Sequence, residues 1–169
     1  MSPPKAELTV VPSPKRPAVE EIGGPEGKAC PSAPCIDGAL LLGVVAADGR
    51  LAYIQPPTRI DAEFAERARA EGRPEARYRF SLPCVEAGCS QWTGSGCGLV
   101  EHIFEQRAAA APQAQAPPPA PAKLPACSIR RTCRWYAQRG GAACAVCPTV
   151  VADCGGAETY ASTRAAATP

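Results

Sequence analysis

"ALLLGVVAADGRLAYI", residues 39 to 54, is the stretch on which the fold turns. Apolar and β-branched residues flank Asp48-Gly49, a strong short turn signal, so the segment predicts a β-hairpin. Its apolar part, residues 39 to 46, is the longest such run in the chain and falls far short of the roughly 20 residues that span a bilayer. Downstream, "RIDAEFAERARAEG" sets Ile60, Phe64 and Ala68 at helical spacing, with Glu and Arg opposite and Gly72 placed to stop it. That predicts an amphipathic helix of about three turns. "ARYRFSL", residues 76 to 82, alternates Tyr78 and Phe80 with Arg77 and Arg79 and reads as a third strand with one basic face. After Cys97, "GLVEHIFEQRAAAA" predicts a helix burying Leu99, Val100, Ile103 and Phe104, and a short helix is expected around Arg130 to Arg139, ended by Gly140-Gly141. The fold class is therefore a small α+β core of β-hairpin, helix and third strand, with metal-stabilised cysteine-rich loops attached.

Around that core the composition changes. Residues 1–28 mix Pro, Lys and Glu without apolar periodicity and read as a disordered arm. Residues 110–123 form an Ala/Pro-rich linker, and 158–169 a disordered tail. The expected organisation is an α+β cysteine-rich domain over 29–109 and a C-terminal four-cysteine metal-binding module over 124–157. With 20 prolines and 5% aromatic residues in 169, little of the chain can fill an interior, and such small cores usually need staples. The N-terminus lacks the apolar run of a secretory signal, so a cytoplasmic location and no membrane partner are expected. In a reducing cytosol clustered cysteines read as metal ligands or redox groups before disulfides. A net charge of +2 argues neither for nor against a nucleic-acid partner.

The 10 cysteines fall into a repeated order. In "LPCVEAGCSQWTGSGC" it is Leu82, Pro83, Cys84, Cys89, Trp92, two glycines and Cys97; in "LPACSIRRTCRWYAQRGGAACAVC" it is Leu124, Pro125, Cys127, Cys133, Trp135, two glycines, Cys144 and Cys147. The spacings differ, so the repeat is loose. Four thiolates can enclose one zinc ion or hold the irons of one cluster. The second group supplies Cys127, Cys133, Cys144 and Cys147 in one compact segment. The first supplies three, and Cys30 or Cys35 in "CPSAPCIDG" is the obvious source of a fourth. Cys154 reads as a small, partly buried residue. Gly96 and Gly98 bracket Cys97 and would let the backbone turn tightly about a bound centre.

Structural zinc sites usually pair two tight knuckles, and only Cys144-x2-Cys147 is tight in that sense; the wider gaps suit a polynuclear centre better. The expected cofactor is one or two iron–sulfur clusters of the 4Fe-4S kind, with zinc as the alternative. Trp92 and Trp135 are candidates to shield a centre from water, and Arg131 and Arg134 to balance its negative charge. Arg130, Arg131, Arg134 and Arg139 beside Trp135 and Tyr136 also allow nucleic-acid binding as a secondary reading. His102, the only histidine, reads as a non-ligand on its helix. No phosphate loop, dinucleotide fingerprint, HExxH or hydrolytic triad occurs. The expectation is a redox carrier serving a partner protein or a larger enzyme complex, more than an enzyme in its own right. The competing class is a zinc-stabilised interaction module. A third, thiol redox sensing, requires a low-pKa thiol, for which Cys133 between Arg131 and Arg134 is the candidate.

Overall fold

A computed structural model describes residues 27–110 and 120–151; most of the N-terminal arm, the middle of the linker, Cys154 and the tail lie outside the described residues. Four strands, β1 (Ala29–Cys30), β2 (Leu40–Val45), β3 (Leu51–Arg59) and β4 (Tyr78–Pro83), form one antiparallel sheet in the order β1-β4-β2-β3. With helices α1 (Ala62–Ala70), α2 (Pro74–Arg77), α3 (Gly98–Ala110), α4 (Arg134–Arg139) and α5 (Gly141–Val146), the class is α+β.

The hairpin forms where the apolar pattern places it. Val45 pairs with Leu51 and Gly43 with Tyr53, and the turn closes through Ala46 N–H donating to Arg50 O at 2.8 Å. β3 runs further than expected because pairing resumes beyond a bulge, at Leu41 with Thr58. Pro56 and Pro57 fall inside that bulge, where their missing N–H groups take nothing from the ladder. α1 starts at Asp61, whose Oδ1 accepts from Phe64 N–H at 2.8 Å, and it turns Ala65 and Ala68 inward. α2, which the periodicity does not signal, begins on Pro74, a residue suited to a first helical turn.

Both faces of the sheet are covered. Leu41, Phe80 and Leu82 pack with Ile60, Ala65 and Ala68 on one side, while Leu40 and Leu42 meet Ala29 and Ile129 on the other. A further core joins Val100 and Phe104 of α3 to Trp135, Ala143, Val146 and Val150. Segments from either side of residues 111–119 thus share their interiors, and Ala29 N–H donates to Thr132 O at 2.7 Å.

The predicted basic face of the third strand is corrected by this packing. β4 is an inner strand, and Arg79 is only 4% exposed. Its guanidinium donates to Glu75 O (2.5 Å), Tyr78 O (2.9 Å), Cys147 O (3.1 Å) and Pro148 O (2.6 Å). A buried charge is tolerated when its donors are matched in this way. The arginine therefore clasps the C-terminal segment to the sheet. The remaining elements differ from expectation at their edges: the short helix begins at Arg134, after Cys133, and Gly140 (φ +56°) divides it from α5. Among the described residues no helix is long and apolar enough to cross a membrane.

Candidate metal centres

Eight cysteines line two cavities, four to each. Cys30, Cys84, Cys89 and Cys97 face one; Cys127, Cys133, Cys144 and Cys147 face the other. The enclosed space within each is about 20 Å³. Among the described residues no group of three or more Cys, His, Asp or Glu side chains is placed to hold a metal ion. The thiols sit in walls around a space.

The first cavity is assembled from distant parts of the chain. β1 lies against β4, with Cys30 opposite Leu82, and Cys84 N–H donates to Lys28 O at 2.9 Å, which brings Cys30 and Cys84 together. Residues 86–88 make one 3-10 turn that delivers Cys89, whose sulfur accepts from Gln91 N–H at 3.4 Å. The loop from Gln91 to Gly98 then closes on itself: Trp92 bridges Cys97, and Gly98 N–H donates to Gln91 O at 2.7 Å. A Cβ at Gly98 would lie 3.1 Å from that carbonyl, so the residue is needed for close approach. α4 completes the wall. Its Gln138 clamps Cys97, accepting from the Cys97 N–H at 2.9 Å and donating to its carbonyl at 3.3 Å, while Trp135 Nε1–H donates to Cys97 Sγ at 3.3 Å.

The second cavity is local. The turn from Cys127 leads into Cys133, which immediately precedes α4, and α5 presents Cys144 one turn before Cys147. Backbone N–H groups of Ile129 and Arg130 point at the Cys127 sulfur, and those of Tyr136 and Trp135 at Cys133. Leu51 and Tyr53 of the hairpin form the opposite wall. Burial, then the thiols of Cys147, Cys127 and Cys144, push the Tyr53 hydroxyl upward, so it stays protonated.

Burial dominates the thiols as well. It raises Cys133 and Cys147 to about 12, and it raises Cys127 and Cys89. The low-pKa Cys133 required for redox sensing is therefore reversed in direction: in the free thiol form the residue is held protonated. Buried thiols become ligands when an enclosed cation compensates the lost solvation of the thiolate.

Cations already line both spaces. Arg130 lines the second cavity with its Nε and Nη2 buried and without hydrogen-bond partners. Arg134 lines the first, ion-paired to Glu86 and stacked over Trp92 at 5.0 Å, with its Nε also unpartnered. Arg131, expected at a centre, is exposed and lines neither cavity; Arg139 is ion-paired with Glu101 on the outside. Arg130 stood in the basic stretch, but nothing in its spacing separates it from Arg131. Tyr53 and Gln138 were carried by no motif.

The tryptophans are placed differently from one another. Trp92 lines the first cavity and remains half-buried, whereas Trp135, 1% exposed, lines both. Cys35 lines neither; it is 2% exposed in the apolar core beneath α1, and burial raises its thiol to about 11. His102 is exposed on α3, with Nε2 2.8 Å from Gln106 Nε2. No family model, no curated protein and no solved structure matches the chain.

Proposed function

We propose that the protein holds two iron–sulfur clusters, one in each four-cysteine cavity, and transfers electrons for a partner protein or a larger redox or biosynthetic complex. The observation that carries this reading is the division of eight thiols into two sets of four around spaces of similar size. A polynuclear centre needs sulfurs spread around a volume, whereas a single zinc ion draws four sulfurs to about 2.3 Å from one point. The unpartnered guanidinium atoms of Arg130 and Arg134 fit the negative charge of a tetrathiolate centre and can donate to its sulfurs.

When bound, a cluster of this kind supplies reversible one-electron chemistry. The chain's own residues determine its setting. Trp92, Trp135 and Tyr136 exclude water from the cavities, backbone and indole N–H groups stabilise the more negative reduced state, and Arg130 and Arg134 do the same by charge. The test is anaerobic purification followed by visible absorption and by iron, zinc and acid-labile sulfide analysis of one sample. The expected result is a brown protein with about four irons and four sulfides per centre. A colourless protein with zinc and no sulfide would overturn the reading in favour of a zinc-stabilised interaction module.

A further inference from the structure

The two cavities have a common wall. Trp135 and Pro31 face both, and Trp135 is the largest fully buried side chain among the described residues. A short path joins the two thiol sets. Cys133, in the second cavity, is two residues from Trp135, whose Nε1–H is held on the Sγ of Cys97 in the first. A second link runs beside it: Ala29 N–H donates to Thr132 O, and the neighbours of these residues, Cys30 and Cys133, belong to different cavities. Each set of four thiols is therefore joined to the other by two through-bond paths, each containing one hydrogen bond.

We infer that the two centres form one intramolecular electron-transfer pair across Trp135, and that the indole N–H on Cys97 selectively raises the potential of the first centre. The inference rests on the cluster reading above. The transfer is a one-electron exchange: an external one-electron donor reduces one centre, that centre is reoxidised as the other gains the electron, and no bond or proton changes hands. Trp135 is a positioning residue; it lines both cavities and holds the Cys97 sulfur, without itself being oxidised. The N–H···S bond matters because a sulfur carries more negative charge in the reduced state, so a donor to it favours reduction.

The test uses the intact, anaerobically purified protein, with iron and sulfide content determined first. A chain without iron and sulfide would remove the cluster reading and this inference with it. With both centres present, the fully dithionite-reduced protein is examined by electron paramagnetic resonance beside Cys89→Ser and Cys144→Ser, each lacking one centre. Extra splitting or broadening in the two-centre protein, absent from both single-centre variants, is expected. A two-centre spectrum equal to the sum of the two single-centre spectra would overturn the pairing while leaving the cluster reading intact. Trp135→Phe then keeps an aromatic ring and deletes the N–H. In the Cys144→Ser background it should lower the reduced-to-oxidised ratio of the first centre about tenfold at fixed potential, a shift of about 59 mV for one electron. In the Cys89→Ser background it should leave the second centre unmoved; equal shifts in both would show a general packing effect and defeat the selective role.

Discussion

The two cavities are each lined by four thiols, reached by opposite routes. The second takes its cysteines from residues 127 to 147, so its geometry follows from one turn and two short helices. The first takes Cys30 from a two-residue strand, Cys84 from the end of β4 and Cys97 from a closed loop, then borrows Arg134 and Trp135 from the far end of the chain. A local site depends on spacing. A distributed one depends on strand pairing, and so inherits the stability of the whole sheet.

The largest expected effect breaks both at once. Phe80, 1% exposed, sits under α1 and on the strand that leads to Cys84, so Phe80→Ala should cost about 3–5 kcal/mol and reduce iron in both centres, read by urea denaturation and metal analysis. Arg79→Met should separate them. Loss of its donors to the Cys147 and Pro148 carbonyls removes about 3 kcal/mol and should deplete the second centre more than the first, seen as residual iron in a Cys89→Ser background lower than in Cys144→Ser. Equal depletion would show that the clasp serves the sheet alone. Gln138→Ala works in the reverse direction. It frees the Cys97 backbone at a cost of about 1–2 kcal/mol, and the first centre should lose its cluster to a chelator faster while the second keeps its rate. Cys35→Ala should leave the iron content of both unchanged, because that thiol faces the apolar core.

The smallest expected shift is a pH dependence. The Arg139 guanidinium holds the Glu101 carboxyl below its ordinary 4.5, which stabilises the fold above that value and is lost as the pH falls through the depressed one. Glu101→Gln should therefore flatten the acid limb of the stability curve slightly and do nothing at neutral pH to the first centre beyond what its contact with Gln138 transmits. A steeper acid limb in the variant would reverse the assignment.

The hairpin, α1 and α3 were legible because period-2 and helical-period patterns report on burial directly. The face of β4 was not. Alternation of Tyr78 and Phe80 with arginines identifies two faces but not what covers each, and the C-terminal segment covers the arginine's. The grouping of Cys127, Cys133, Cys144 and Cys147 follows from their closeness in sequence. For the first cavity the spacing left Cys30 and Cys35 equivalent, and only the pairing of β1 with β4 distinguishes a residue held beside Leu82 from one whose amide is taken by Glu75 at 2.9 Å. The same limit hid Arg130 behind Arg131: of these neighbours in a basic stretch one lines the cavity and the other is exposed, a difference set by the turn from Cys127 to Cys133, not by charge.

The partition at Trp135 also fixes an order of events during synthesis. All four thiols of the first cavity emerge from the ribosome before the indole that closes it, which follows Cys97 by 38 residues. Until then one side of that cavity faces solvent, and Cys97 has neither its N–H partner nor the Gln138 clamp. The nascent chain thus presents an open cradle before it presents a sealed one. On the cluster reading, insertion at that cavity has a natural interval, and completion of the C-terminal helices ends it.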